Sequence, residues 1–440
     1  MEEEIVEVET IEVSTPRSRF AAVSGIIVST AVMALASGLL FAYIPVKLIS
    51  QGFEPWVPAA MTPALAFGGL IGCFATGPLL RLSGHARVFM LYYALIVMST
   101  AAIAFFSSPY AWLIARMFYG FAINGVFIVA QSWLHHASTD DIRGRVISVF
   151  YVSYIVALGV GGYLVGAVDS AGNSIPVLAT FFVALAMLPV ALTRLPQPEP
   201  PQTMTVDIRR VWRISPVGLA GMMTVGGLSM LLQSLSPIYI TSLGYSRSDV
   251  GFTMLFMQLG VIAVQLPMGA LSDRIDRRYV LAITAAGSLG ISIIAFGGHG
   301  MIGIAMLILL FALWNGFNET LYSVSSALAN DRADPADYVM LSSTQMIAWS
   351  VAAFVIPLCA TVALAFLPVK SFMPIAAVLA GCFLIFTLFR MRSRKEIPAD
   401  EREAFQPVTA QVVYPGDFAN PDAPSEDEAP EAEAIEKEEQ

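Results

Sequence analysis

Long apolar stretches follow one another along most of this 440-residue chain, and they constrain its fold more than any other feature. A helix needs about 20 apolar residues to cross the hydrocarbon core of a bilayer. Only helices and closed barrels satisfy their backbone groups in lipid, and these stretches lack the alternation of barrel strands. We therefore predict an all-α membrane protein with twelve transmembrane helices, at roughly 20–43, 57–77, 88–106, 111–134, 146–168, 175–194, 215–238, 250–270, 279–297, 300–328, 339–365 and 371–391.

Composition agrees with a membrane protein and excludes an ordinary soluble domain. Hydrophobic residues make up 56% of the chain and charged residues 13%. The net charge of −9 comes from the two ends, since residues 1–13 hold six Glu and residues 419–440 hold nine acids and one Lys. We expect an acidic cytoplasmic tail at 1–19 and an acidic, disordered cytoplasmic tail at 392–440.

Lysine and arginine are concentrated in alternate loops, which predicts how the chain crosses the membrane. The loops of one set carry only Lys47, Arg247 and Lys370, whereas the other set and both tails carry eighteen basic residues. The positive-inside rule then places both termini in the cytoplasm. A proline-rich linker at 195–212 would join a six-helix bundle at 20–194 to a second one at 213–391.

A charged segment recurs at the same place in each half of the chain. The segment Gly269–Arg278 reads GALSDRIDRR and lies between two apolar stretches, and Gly77–Arg87 reads GPLLRLSGHAR in the same setting, 192 positions earlier. Gly120-Phe121 and Gly316-Phe317 repeat at a spacing of 196. A hairpin loop repeated in this way indicates two similar membrane bundles.

These segments resemble the loop G-x-L-x-D-R-x-G-R-R of the major facilitator superfamily (MFS). The second copy matches at Gly269, Leu271, Asp273, Arg274, Arg277 and Arg278, with Asp276 where glycine is usual, whereas Arg81 replaces the aspartate in the first copy. Ser132-Trp133-Leu134 and Arg143-Gly144-Arg145-Val146 are similar to the YcaD-type bacterial branch of that superfamily. The resemblance implies a protein of the bacterial cytoplasmic (inner) membrane. It also implies a central cavity lined by spans 1, 4, 7 and 10.

The resemblance also implies a latch between the halves on the cytoplasmic side. The loop aspartate, Asp273, would meet the start of span 5, where Arg143 and Arg145 lie. By the same symmetry, Arg81 would pair with Asp331, Asp334 or Asp337 in the outward-open state, as a charge swap. The predicted latch residues are Gly77, Arg81, Arg143, Arg145, Gly269, Asp273, Arg274, Arg277 and Arg278.

Two spans carry polar side chains on one face, and these are the candidate substrate or coupling residues. In span 4, Arg116, Asn124 and Gln131 fall within about 80° of arc. Polar groups on one face in lipid should face protein or water, and a buried arginine there predicts a site. The alternative is an arginine held in a structural hydrogen-bond network.

Span 10 carries Asn315, Asn318, Glu319 and Tyr322 on one face. Glu319 is the acid placed well inside a predicted span, and low dielectric favours its protonated form, as a proton carrier requires. The alternative is an asparagine-rich packing seam that Glu319 anchors. Gln233 in span 7 is a further candidate, although glutamines in membrane helices often only bond to neighbouring helices.

We interpret the chain as a secondary transporter that moves a small organic solute by alternating access. Coupling to the proton-motive force and uniport are both compatible with the sequence, and the aromatic and amide residues suit an amphipathic or anionic solute. The alternative is a transporter-like receptor or scaffold that acts through its acidic tails. No P-loop, GxSxG, HExxH or CxxC pattern supports an enzyme. We expect no cofactor, no metal and no nucleic-acid partner, and a monomer in the bilayer.

The cysteines and histidines are expected to carry no chemistry. Cys73, Cys359 and Cys382 fall in apolar stretches without metal-like spacing and are interpreted as small buried side chains. The four histidines, including His85, fall in predicted loops and are interpreted as solvated.

Overall fold

The chain folds into two sets of six long helices. The computed structural model describes residues 16–138, 140–168, 172–192, 205–334 and 337–392, together with Phe405; the side chains of 16–22, 135 and 140–143 lie outside that description. Twelve of its helices are long and apolar enough to cross a membrane, which confirms the predicted all-α architecture. The long helices are α1 (Pro16–Ser50), α3 (Met61–Ser83), α4 (His85–Phe105), α5 (Pro109–Ala137), α6 (Asp140–Ala167), α7 (Ser174–Ala191), α9 (Pro216–Ser242), α10 (Arg247–Arg274), α11 (Arg277–Gly297), α12 (Ile304–Asn330), α13 (Tyr338–Leu364) and α14 (Phe372–Met391). Two short helices, α2 (Trp56–Ala59) and α8 (Ile208–Ile214), precede α3 and α9.

Several helices extend beyond the limits that hydropathy sets. Helix α1 continues past Lys47, and α3 continues past Arg81 to Ser83. Backbone hydrogen bonding does not stop at the edge of the hydrocarbon, and long basic side chains can reach the interface from a helix that lies partly within it. The predicted linker 195–212 is likewise helical at its end, where the Asp207 carboxylate accepts the backbone N–H of Arg210 at 2.9 Å and caps α8.

The two charged segments are largely helical, which corrects their prediction as hairpin loops. Between α3 and α4 the turn is the single residue Gly84, whose φ of 75° favours glycine. Between α10 and α11 only Ile275 and Asp276 intervene. Asp276 accepts the backbone N–H of Arg278 at 2.9 Å, so this aspartate caps α11 where the resembled pattern has glycine.

Two further expectations are wrong. Cys73 is buried, but Cys359 and Cys382 are exposed on α13 and α14, because only one side of each span faces protein. His85 is buried, and its ring Nε2 lies 3.0 Å from the Ser132 hydroxyl. The helix start that carries His85 packs against α5, which removes it from solvent.

The helix contacts of one half are repeated in the other. Helix α1 packs on α6 and α7, as α9 packs on α13 and α14; α3 packs on α5, as α10 packs on α12. Glycines allow the second of these pairs to approach closely. A Cβ on Gly68 would lie 1.8 Å from the carbonyl oxygen of Met117, and one on Gly260 would lie 2.1 Å from that of Ala312. Gly68 and Gly260 are 192 positions apart, the same spacing as the charged segments.

We expect Gly120→Ala to destabilise the first half. The added Cβ would lie 1.9 Å from the backbone oxygen of Leu65, so α3 and α5 must separate, at a cost of about 1–3 kcal/mol. The matched control is Gly290→Ala in α11, where a Cβ meets nothing within 4 Å and alanine is the better helix former. Thermal unfolding in detergent should show a lower Tm for Gly120→Ala alone; an equal Tm for both variants would contradict this packing.

We call the face at which α1 begins and α14 ends the terminal face. The two halves meet closely toward the opposite face. The main contacts between halves are α6 with α10 and α3 with α13, and α2 contacts α9 and α13 at the opposite face. The rings of Phe67 and Phe354 lie 5.4 Å apart, and a Cβ on Gly162 would meet Met254 at 2.5 Å. The α5–α6 connection and the α12–α13 connection both lie at the terminal face. Among the described residues, these two helix pairs make no comparably extensive contact with each other.

Candidate functional site

A cavity lies between the two halves, near the middle of the helices. The space between the atoms there amounts to about 540 Å³, and this volume includes the part that is open to the surroundings. The first half contributes α1, α3, α5 and α6, and the second half contributes α9 and α13. The lining residues are Phe41, Leu65, Ala66, Gly69, Ile123, Asn124, Phe127, Tyr154, Met230, Trp349, Ser350 and Ala353.

The cavity wall is mainly apolar and aromatic, with a few polar groups. Asn124, Tyr154 and Ser350 supply hydrogen-bonding side chains, and the Asn124 amide lies 3.7 Å from the Cys73 sulfur. The lining residues, all within the described part of the chain, include no charged side chain. Such a wall can bind an organic molecule through aromatic contact and fix its orientation through a small number of hydrogen bonds.

Glu319 of α12 lies next to this cavity. Its carboxylate interacts electrostatically with Tyr151 and Tyr154 of α6, and Tyr154 itself lines the cavity. The Ser229 hydroxyl of α9 lies beside the carboxylate, although its Oγ meets no strict hydrogen-bond geometry there. Glu319 is half-buried in this structure. It interacts with residues of both halves, and its role as a coupling residue stays a prediction.

A chain of hydrogen bonds crosses from one half to the other near Glu319. The Tyr151 hydroxyl of α6 donates to the Gln265 carbonyl oxygen of α10, and the Gln265 amide donates to Ser323 of α12. Gln258 donates to Gln233 at 3.5 Å, so Gln233 bonds to a neighbouring helix. Polar side chains thus join α6 to the second half within an otherwise apolar interface.

Arg116 lies on the side of the cavity that is nearer the face opposite the termini. Its guanidinium carbon is 4.8 Å from the centre of the Phe41 ring and 5.1 Å from that of Tyr119. The side chain is buried, and its Nε and Nη1 make no hydrogen bond to the described part of the chain. Phe41 lines the cavity, so this aromatic ring separates the arginine from it. Cation–π contacts compensate only part of the cost of burying such a charge.

The structure places the other predicted site residues at several locations. Asn124 lines the cavity, whereas the Asn315 amide donates to the Met257 carbonyl oxygen at 3.0 Å and Asn318 accepts from Ser288 at 2.7 Å. The two asparagines therefore bond α12 to α10 and α11. Gln131 and Tyr322 are buried.

Sequence reasoning missed several lining residues, chiefly on α3 and α13. The assignment of the cavity to spans 1, 4, 7 and 10 left out Gly69, Trp349 and Ser350. The adjacent tryptophan and serine in the middle of a predicted span were the available signal. Tyr154 of α6 was missed because the three tyrosines of that apolar span form no distinctive pattern.

Two of the predicted latch residues, Arg277 and Arg278, form ion pairs within the second half. Arg277 pairs with Asp331 at 2.6 Å, and both side chains are only 1% exposed. Arg278 pairs with Asp276, and Arg210 pairs with Asp337 at 2.8 Å. In this conformation two of the three aspartates proposed for Arg81 therefore have other partners.

The remaining latch residues lie at or near the surface. Arg81, Arg145 and Arg274 are exposed, and the side chain of Arg143 lies outside the described residues. A Cβ on Gly77 would lie 4.0 Å from the Arg81 guanidinium, one turn along the same helix. Asp273 is exposed and accepts the backbone N–H of Phe405 at 3.0 Å.

Sequence comparison finds relatives of this chain among membrane transporters. An uncharacterized MFS-type transporter of Enterobacter sp. (strain 638) is 22% identical over 327 residues, covering 74% of this chain and 84% of that protein. The uncharacterized MFS-type transporter YcaD of Escherichia coli (strain SE11) is 23% identical with the same coverage.

Two solved structures are similar to this one in fold. The nucleoside transporter NupG aligns with a TM-score of 0.70 at 10% identity, over 84% of this chain and 100% of that one. The human organic anion transporter MFSD10 (TETRAN) aligns with a TM-score of 0.61 at 15% identity, over 84% and 99%. The family model of the Major Facilitator Superfamily matches residues 26–214 and 217–419. The chain therefore belongs to the Major Facilitator Superfamily and resembles its YcaD-type transporters.

Proposed function

We propose that this protein is a secondary transporter that carries a small organic solute across the bacterial cytoplasmic membrane by alternating access. The cavity between the two halves supports this proposal, because it is lined from both and lies near the middle of the helices. The close contact at one end would make this conformation open toward the terminal face. The Lys and Arg asymmetry supports a cytoplasmic position for that face.

The cavity wall suggests an amphipathic solute with an aromatic or apolar body. Phe41, Phe127, Tyr154 and Trp349 supply aromatic surface, whereas Asn124 and Ser350 can accept or donate hydrogen bonds. A bare metal ion would require clustered carboxylates or imidazoles. The described residues contain no group of three or more potential metal ligands.

Two charged residues lie just outside this wall and give it electrostatic asymmetry. Glu319 interacts electrostatically with Tyr154 on one side, and Arg116 lies behind Phe41 on another. We assign proton coupling to Glu319, since a solute that touches Tyr154 would alter the environment of that carboxyl. Arg116 would attract an anionic group whenever Phe41 moves aside.

Filling the cavity is the direct test of this function. Ala353 lines the cavity on α13, so Ala353→Trp should occupy the space that the solute needs. We expect a solute that raises the Tm of the parent protein in a broad screen to give no rise in this variant, because only binding to the folded state stabilises it. At a solute concentration of 100 times Kd the parent should gain about 2.7 kcal/mol.

Val355→Trp is the matched control, because Val355 is exposed on the same helix. This variant should retain the full solute-dependent rise in Tm. Equal stabilisation of both tryptophan variants would place the binding site elsewhere. A protein that no solute stabilises would favour a receptor or scaffold.

A further inference from the structure

Phe405 contacts the repeated charged segment from far along the sequence. Its backbone N–H donates to the Asp273 carboxylate at 3.0 Å, and its ring covers Gly269. A Cβ on Gly269 would lie 2.1 Å from that ring, and the three nearest atoms to it all belong to Phe405. The absence of a side chain at 269 is therefore what admits the phenylalanine.

Gly269 lies on the face of α10 that packs against α6. At about 100° per residue, Gly251, Gln258, Gln265 and Gly269 fall within about 40° of arc. The first three contact α6: a Cβ on Gly251 would meet the Tyr163 backbone, Gln258 packs at Gly159, and Gln265 bonds to Tyr151. Toward the terminal face the next position of this stripe is Gly269, and Phe405 covers it.

Helix α6 carries a matching stripe that continues toward the same end. Gly144 and Ser148 lie on the face of α6 that holds Tyr151 and Gly159, within about 80° of arc. Both are small, and the exposed Arg145 beside them is complementary in charge to the exposed Asp273. If the halves close at the terminal face, this end of α6 would meet α10 at Gly269 and Asp273. The Phe405 ring occupies that surface of α10.

We propose that Phe405 is an intramolecular wedge that holds the terminal face open. The wedge occupies the continuation of the α6–α10 interface, so closure requires the ring to leave. This proposal rests on alternating access, since a wedge has an effect only if the halves can close there. Loss of the wedge shifts the population of the two conformations toward the closed one.

Two variants remove the wedge by independent routes. Phe405→Ala removes the ring, whereas Gly269→Ala keeps the ring but places a Cβ in the position that the ring occupies on α10. Spin labels on His136→Cys and Asp334→Cys, both exposed near the terminal face in opposite halves, report the opening by electron–electron double resonance. The three native cysteines are replaced by alanine in this background.

We expect each variant to raise the ratio of the short-distance to the long-distance population by about tenfold, the effect expected from loss of a partly buried aromatic contact. The double variant should do no more than either single one, because both remove the same contact. Phe366→Ala and Gly290→Ala, at sites remote from this contact, should leave the ratio unchanged. A chain ending at residue 406 should behave as the parent, and one ending at 392 as Phe405→Ala.

If two populations are present and their ratio changes in neither Phe405→Ala nor Gly269→Ala, the wedge proposal is overturned and alternating access is not. A response to Phe405→Ala without a response to Gly269→Ala would also overturn it, because the ring would then act elsewhere. A single population in the parent and every variant would count against alternating access as well as the wedge.

Discussion

Replacing Glu319 with glutamine is expected to abolish the pH dependence of solute binding. If solute binding requires the protonated carboxyl, the apparent Kd of the parent changes by about tenfold per pH unit where the free carboxyl is ionised. If binding requires the ionised carboxyl, the apparent Kd changes by the same factor where the free carboxyl is protonated. Between pH 6 and pH 8 this amounts to as much as about a hundredfold. Glutamine keeps the size and hydrogen-bonding groups of the side chain but cannot exchange a proton.

The measurement is solute-dependent thermal stabilisation at pH 6 and pH 8. Stronger binding by the parent at pH 6 indicates symport, and weaker binding at pH 6 indicates antiport. Asp249→Asn is the control, because that half-buried acid belongs to the capping box of α10 at the face opposite the termini and should leave the pH dependence unchanged. If Glu319→Gln retains the pH dependence, the carboxyl is a packing element and the transporter is uncoupled or coupled elsewhere.

Asp331→Ala is expected to give the largest loss of stability. The Asp331 carboxylate accepts from Arg277 Nε at 2.6 Å and from Nη2 at 3.2 Å, and both side chains are 1% exposed. Removing the carboxylate leaves the buried guanidinium without this counter-charge, at a cost of about 3–5 kcal/mol. Thermal unfolding should show a large fall in Tm.

A more exposed ion pair at the terminal face supplies the comparison. Arg210 is 58% exposed in its pair with Asp337, so Asp337→Ala should cost about 1 kcal/mol or less. The double variant Arg277→Met with Asp331→Leu should recover much of the stability lost by Asp331→Ala, since no buried charge remains. If Asp331→Ala and Asp337→Ala unfold at the same temperature, the buried pair does not support the fold in this way.

Much of the fold follows from the sequence, because lipid permits few alternatives. Twelve apolar stretches can only be helices, and the spacing of 192 between Gly77 and Gly269 reappears in the contacts of Gly68 and Gly260. Helix ends were less predictable. Hydropathy responds to charges such as Lys47 and Arg81, whereas helices end where hydrogen bonding and caps end them, as at Gly84 and Asp276.

The site was harder to predict, since polar residues on one helical face can point to either of two neighbours. Asn124 and Asn315 look alike in sequence, but one lines the cavity and the other bonds to α10. Trp349 and Ser350 enter the wall because α13 packs on α3, a contact between distant parts of the chain. The contact of Phe405 with Gly269 spans more than 130 residues, and no local pattern in the sequence indicates it.

The most direct test of alternating access is whether the cavity is reached from both sides of the membrane. Ser350 lines the cavity, so Ser350→Cys in the cysteine-free background places one thiol there. A membrane-impermeant thiol reagent is added to right-side-out and to inside-out vesicles. We predict labelling from both sides, with Phe405→Ala lowering the rate from the terminal face. Labelling from one side only, under every condition of pH and solute, would contradict alternating access.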